Sequence, residues 1–557
     1  MPDCSPLQKA RASYTPKLPP VLAQYGPFVA CSEGNATESI SDQDAIKALF
    51  KHIYGAPITT FSPGEKTTTA PVKAAVILSG GQAPGGHNVI AGIFDGLKAY
   101  NAGSELFGFL GGPSGLLDDE YKILTAEVID EYRNTGGFDM IGSGRTKLEE
   151  ESQFAQVLDN CTKHGIQAVI VIGGDDSNTN ACMLAEYMEK RREADPSLSR
   201  VQVIGCPKTI DGDLKNEQIE VSFGFDTATK VYSELIGNIE RDSNSAKKYW
   251  HFIKLMGRSA SHIALECALQ TRPNAAIISE EVAAKKQTLK EIVEQLAVTI
   301  RDRAAAGKNF GVVLIPEGLI EFIPEVKNLI SELNDLLAAN DKYFKTLPTT
   351  DDQLQFVNGK LSMASSQAFS SLPGTIQMQL LMDRDPHGNV QVSRIETEKL
   401  LIDLLQDQLR EWKANGTYNG TFSTQAHFFG YEGRCAAPSN FDADYCYSLG
   451  YCAAALLLAG KTGYMSSVRN LSSPSTEWTA GGIPLTMMMN LERRHGADRP
   501  VIKKALVELE GTPFKTFAAL REQLALNEEF TYPGPIQYFG PAEVCDRTST
   551  TLALENS

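Results

Sequence analysis

No run in this 557-residue chain approaches the roughly 18 consecutive apolar residues that a membrane-spanning helix needs. The longest, CAAALLLAG (452–460), has the length of a buried helix. The N-terminal MPDCSPLQKARASYTPKLPP lacks an apolar stretch followed by a small-residue cleavage site, so it does not read as a secretory signal. It reads as a Pro-rich extension lying on the surface or against a partner. CxxC pairs are missing as well. Ten cysteines are scattered singly, with Cys206 and Cys267 among apolar neighbours, which suits reduced thiols in a cytoplasmic protein. The eight histidines show no zinc-ligand spacing, and no G-x-S-x-G nucleophile elbow occurs. A nucleotide P-loop is absent too: AGKTG (459–463) has Ala455 where the motif needs glycine, and it follows a helix rather than a strand. Positive charge is scarce, 52 Lys and Arg against 68 Asp and Glu, for a net charge of −16. That balance argues against a general nucleic-acid binder. It also requires that any anionic substrate be held by a local cationic cluster against the overall field.

What is present is a soluble α/β pattern. The length exceeds one compact core and points to two domains with appendages. Near-continuous apolar runs recur: VKAAVILSGG (72–81), SELFGFLGG (104–112), AVIVIGG (168–174), VQVIGCP (201–207), YWHFIKLMGR (249–258), AAIISEE (275–281) and GVVLIPEG (311–318). Amphipathic helical patterns such as NVIAGIFDGLKAY (88–100) separate several of them. Such alternation indicates two doubly wound, Rossmann-like lobes with mostly parallel sheets covered on both faces. From about 320 to 420 the pattern turns to long charged helices with no strand, read as a helical insertion. The expected organisation is an N-terminal extension (1–70), then a first lobe at 71–225 to which the chain returns at about 433–500. A second lobe follows at 226–432, containing the insertion, and a C-terminal segment ends the chain at 501–557.

The strand ends carry the chemistry. In order they read SGGQAPGG, LGGPSG, GGDDS, PKTIDGD, MGR and PEG. Open α/β sheets bind ligands at the carboxyl ends of their strands. SGGQAPGGHN, between a strand and a helix, is either a tight turn or a nest of free N–H groups in which Gly81 donates to a phosphate oxygen. PKTIDGD is either a turn with a solvated lysine or an acid-base site. In the second case Asp211 takes a hydroxyl proton and Lys208 balances charge on a transferring phosphoryl group, which is most of what such a reaction asks of a protein.

Together GGQAPGGHN, GGDDSNTNA, PKTIDGDLKN, GFDTATK, LMGRSASHIALECALQ, LIPEGL, DPHGNVQV and HFFGYEGR resemble the pyrophosphate-dependent phosphofructokinases, in particular the long form and its catalytic beta-type subunits. The resemblance runs from about residue 70 to 540. It implies reversible transfer from pyrophosphate to fructose 6-phosphate, giving fructose 1,6-bisphosphate and phosphate, with Mg²⁺. It also implies a homo-oligomer, dimer or tetramer, with sites completed across subunits, and neither a nucleic-acid nor a membrane partner. Carried onto this sequence, Asp211 is the base on the sugar 1-hydroxyl, Thr209 and Ile210 line the same site, and Asp175 binds the metal. Met256, Gly257, Arg258, Glu317 and the run Tyr431, Glu432, Gly433 and Arg434 hold the sugar phosphate. Lys248 and Tyr249 reach it from a neighbouring subunit, and Gly81 and Arg145 lie at the pyrophosphate.

Two acids at a phosphate-holding turn, Asp175 and Asp176, then make sense. ATP-using relatives typically have glycine at the second acid and before TID; here those positions are Asp176 and Lys208. A carboxylate at Asp176 is expected to meet the α-phosphate of a nucleotide. Two such charges at 4 Å repel by about 4 kcal/mol at an effective dielectric near 20, a discrimination of some hundreds-fold. Pyrophosphate lacks that group, and Lys208 supplies the charge the smaller donor needs. An ATP-dependent enzyme is the first alternative, opposed by the Asp176 and Lys208 pair. A non-catalytic regulatory subunit is the second, opposed by retention of Asp211.

Overall fold

The computed structural model describes residues 6–66, 70–382, 390–494, 497–536 and 546–557; the DPHGN part of one motif, 385–389, lies outside the described residues. The chain forms two compact units: Met1–Ala228 with Tyr431–Ala505 and Ile536–Asn556, and Thr229–Gly430 with Leu506–Pro535.

The strands are, first, β1 (Val29–Ala36), β2 (Pro57–Pro63), β3 (Lys73–Leu78), β4 (Glu105–Phe109), β5 (Tyr121–Leu124), β6 (Ala168–Gly173) and β7 (Gln202–Pro207). Then follow β8 (Trp250–Leu255), β9 (Ala275–Ala276), β10 (Gly311–Pro316) and β11 (Thr424–Phe429). The last are β12 (Tyr464–Arg469), β13 (Thr479–Pro484), β14 (Met489–Arg494) and β15 (Ala497–Ile502).

In the first unit the sheet order is β1-β2-β13-β12-β7-β6-β3-β4-β5. The centre, β12 to β4, is parallel, while β1, β2, β13 and β5 pair antiparallel at the margins. β6 and β7 are buried at every position, as strands covered on both faces must be. One face, with Ala75, Ile77, Val169, Val171 and Val203, packs with Val157, Ala181, Leu184 and Met188 of two helices. Elsewhere in this unit the helices Gly86–Tyr100 and Asn440–Leu458 pack backbone to backbone. A side chain at Gly92 or Gly450 would lie 2.2 or 2.0 Å from a carbonyl oxygen of the other helix. The stretch offered by sequence only as an extension therefore carries two sheet strands. Arg11, before them, is buried, with its guanidinium donating to Pro438 O.

The second unit is built on a four-stranded parallel sheet, β11-β8-β10-β9. Its helices Leu289–Ala305, Pro324–Phe344 and Thr397–Ala414 bury Ile300, Leu329, Leu333, Leu401 and Leu405 in one core with Phe252, Val313 and Ile315. Between Pro324 and Ala414 the described residues contain helices and no strand. The C-terminal part is divided. Residues up to Ala505 stay with the first unit, Leu506–Pro535 joins the second, and the last helix, Thr550–Glu555, belongs to the first. Every cysteine among the described residues is free, with Cys206 and Cys267 buried. None of the described helices is long and apolar enough to cross a membrane.

Candidate active site

The chain leaves β3 for β4 on one side and places β6 on the other, so the sheet order reverses between β3 and β6. A crevice opens at such a point beyond the carboxyl ends of the strands, and here it is bordered by Ser79–Gly81 after β3 and Gly174–Asp176 after β6. Helix Asp175–Ala194 begins immediately after β6, with Gly174 as its N-cap. The two acids thus occupy its first turn, where the helix dipole favours negative charge. Buried Asn178, one turn on, staples the strand ends together. Its amide donates to Gly173 O (2.6 Å), Gly174 O (3.0 Å) and Cys206 O (3.3 Å).

Three cations meet at Gly81. The Lys208 ammonium donates to Gly81 O at 2.5 Å. A Cβ on Gly81 would lie 2.0 Å from Arg434 Nη1 and 3.7 Å from Arg145 Nη2, so glycine leaves the room the two guanidinium groups use. Burial, followed by repulsion from Arg434, pulls the Lys208 ammonium from its usual range down to about 7; Arg145 adds to the fall, and Asp211 and Asp175 oppose it. Such a cluster, with Lys208 buried, Arg434 half-buried and Arg145 exposed, is mutually repelling and a place for an anion.

Acids face the cations. Asp211 follows Thr209 and buried Ile210. Its N–H donates to Thr209 Oγ1 at 3.1 Å, and its buried Oδ1 has no hydrogen-bond donor among the described residues. Arg434 Nη2 stands 3.6 Å from that oxygen. Asp213 is buried, and burial, then Asp211 and Asp175, push its carboxyl up to about 7. Asp175 pairs with Lys504 at 3.5 Å, and Asp176 pairs with Lys147 at 3.5 Å.

The structure thus brings together Gly81, Arg145, Asp175, Asp176, Lys208, Asp211 and Arg434. Arg434, expected on the sugar phosphate, stands beside Asp211 and Gly81. In the same short helix Tyr431 is exposed and Gly433 buried. Sequence reasoning passed over Asn178, Lys147 and Lys504, and placed Asp213 beside Asp211 after the strand without giving it a role. The run GSGRTK offered a local signal for Lys147. Nothing local marks Lys504, which reaches Asp175 only because β15 runs beside the Asp175 helix, with Ile502 N–H donating to Thr179 Oγ1 at 3.0 Å.

In the second unit Met256, Gly257 and Arg258 form the turn at the carboxyl end of β8. Gly257 has φ +122°, a backbone region open to glycine, and its N–H donates to buried Glu317 Oε2 at 2.9 Å. Glu317 N–H returns to Leu255 O at 3.0 Å. A side chain at Gly318 would lie 1.9 Å from Arg258 O, so the MGR and PEG turns touch through backbone. Arg258 is exposed. Lys248 and Tyr249 precede β8, at its other end. Six residues of strand separate the two groups, about 20 Å at the usual rise per residue.

Residues 73–457 match the family model described as Phosphofructokinase. The chain is 58% identical over 554 residues to the pyrophosphate–fructose 6-phosphate 1-phosphotransferase of Porphyromonas gingivalis, covering 99% of each. It is 51% identical to the beta subunit of the enzyme of that name from Solanum tuberosum, covering 99% of this chain and 94% of that one. In fold it resembles the crystal structure of the pyrophosphate-dependent phosphofructokinase of Nitrosospira multiformis, with a TM-score of 0.53 and 15% identity over 83% of this chain and 93% of that one. With a family match over more than half its length and relatives aligned nearly end to end, the chain belongs to the phosphofructokinase family.

Proposed function

We propose that this protein transfers a phosphoryl group reversibly from pyrophosphate to the 1-hydroxyl of fructose 6-phosphate, giving fructose 1,6-bisphosphate and phosphate. The observation that carries the proposal is Lys208. It is a buried ammonium bonded to the Gly81 loop, flanked by Arg145 and Arg434, three residues before a carboxylate whose buried Oδ1 accepts no hydrogen bond among the described residues and has Arg434 at 3.6 Å. The cations bind the donor at Gly81. Asp211 Oδ1 accepts the hydroxyl proton as the sugar oxygen attacks, and Thr209 holds the acid's backbone through its hydroxyl. Arg434, within reach of both Gly81 and Asp211, accompanies the transferred group. These parts do the positioning and charge stabilisation on which phosphoryl transfer depends.

The acids present suit Mg²⁺. Burial first, then the charges of Asp211 and Asp175, push the Asp213 carboxyl up. No group of three ligating side chains converges among the described residues, as befits an ion that keeps waters and phosphate oxygens and takes one or two carboxylates. Asp175 would hold it, and when bound it supplies neutralisation of the phosphate charge.

Asp176 selects the donor, though less by charge than an isolated carboxylate would. Lys147 at 3.5 Å offsets much of its repulsion, leaving occupied volume as the larger part. On the sugar side, Arg258 binds the phosphate, while Glu317 both orders the MGR turn and accepts from sugar hydroxyls. Lys248 and Tyr249, at the far end of β8 from that turn, serve the site of a neighbouring subunit in a homo-oligomer. Free thiols fit a cytoplasmic enzyme. The test is a donor comparison with Mg²⁺ and fructose 6-phosphate: turnover with pyrophosphate and not with ATP is expected, and the reverse would overturn the proposal.

A further inference from the structure

Lys504 has no place in the reaction just described, yet it lies among the acids. Its ammonium is 3.5 Å from Asp175 Oδ2, and its charge also acts on Asp213. The backbone around it is clamped. Lys503 N–H donates to Met488 O at 2.9 Å, Ala505 N–H donates to Asp213 O at 2.7 Å, and Ile502 N–H is tied to Thr179. What can move is the four-carbon stem, whose side chain is 30% exposed and so has solvent to swing into.

We propose that Lys504 is a built-in counter-cation that competes with the divalent ion for Asp175, so that the ion enters together with the donor rather than before it. This rests on Asp175 as the metal-holding residue. Lysine and a divalent ion cannot share one carboxylate without strong repulsion between them. A polyphosphate anion changes the balance. It brings its own oxygens to the ion and gives the lysine other negative charge to pair with. Ion and donor then favour each other, and by linkage each strengthens the other's binding equally.

The experiment is a Mn²⁺ titration of the full-length protein without substrates, read by electron paramagnetic resonance of free Mn²⁺, for wild type, Lys504→Met, Lys504→Arg and Asp175→Asn. Thermal melting of each variant checks the fold. Lys504→Met should bind Mn²⁺ about tenfold more tightly than wild type, in the lower range of site-to-site couplings, and Lys504→Arg should resemble wild type. Saturating methylenediphosphonate should shrink the difference. Equal affinity in wild type and Lys504→Met, with Asp175→Asn weakened, overturns the competition and leaves the metal reading standing. If Asp175→Asn binds Mn²⁺ as wild type does, Asp175 is not the ligand and both ideas fall. A difference undiminished by the diphosphonate overturns the link to the donor.

Discussion

The two units use their strand ends differently. In the first, the loop after β7 brings Lys208, the segment between β5 and β6 brings Arg145 and the short helix after β11 brings Arg434 to Gly81 in the loop after β3, with Asp211, Asp213 and Asp175 close by, and two of these groups are driven towards neutrality. In the second, the loops after β8 and β10 are joined by backbone and by the Glu317 bond to Gly257, and they present the exposed Arg258. Buried charge is expensive to assemble, and the two units place it differently: the first at its strand ends, in Lys208 and Asp213, the second within β8, where Lys254 pairs with Glu398 at 3.3 Å. An exposed arginine on a rigid turn is suited to holding a phosphate that does not react.

That contrast can be broken. The largest effect is expected from Asp211→Ala, which should lower turnover by about 10²–10⁴-fold, the usual worth of a positioned acid-base group, while calorimetry finds fructose 6-phosphate binding nearly unchanged. Equal turnover would remove the first unit's claim to the chemistry. Arg258→Ala in the second unit should raise KM for fructose 6-phosphate by about 10- to 100-fold, the value of a charged hydrogen bond, with a smaller fall in kcat. A loss confined to kcat would erase the distinction between the units.

Smaller effects sharpen it. Asp176→Gly with Lys208→Gly should let ATP begin to serve, by about tens of fold over background in a coupled assay. The hundreds expected of an isolated carboxylate are reduced because Lys147 cancels part of the charge term. A double variant that still ignores ATP would show that volume and charge at Asp176 do not select the donor. The last test is pH. Lys208 in the free protein is lowered to about 7 by burial, Arg434 and Arg145, and a bound anion raises it. Above pH 7 the lysine must therefore take up a proton when pyrophosphate binds. Affinity should fall as pH rises from 7 to 8, by up to about tenfold per unit for one linked proton. Lys208→Met should bind weakly with a shallower profile, since Asp213 still titrates near 7, and a wild-type profile no steeper than the variant's would contradict the lowered lysine.

Much of this was readable along the chain because the informative residues are close together in sequence. A glycine-rich turn needs only its own neighbours, and β6 and β7 announce themselves as unbroken apolar runs because both faces are covered. β1, by contrast, reads VACSEGNA, mostly exposed at the sheet's edge, with no alternation to reveal it. The role expected of Asp176 treated its charge as alone, whereas Lys147 stands 3.5 Å from it. Lys147 and Lys504 were not foreseen, nor was the place of Arg434 beside both Gly81 and Asp211.

By itself, then, the sequence determined an α/β protein with glycines, acids and cations at its strand ends, since these are properties of short segments with a fixed period or spacing, and its motifs resembled those of the phosphofructokinases. Only the tertiary structure decided which charges face one another: Arg434 against Gly81 and Asp211, Lys147 on Asp176, and Lys504 on Asp175. Coulomb energies depend on distance through space and on burial, and neither is written in the separation of residues along the chain.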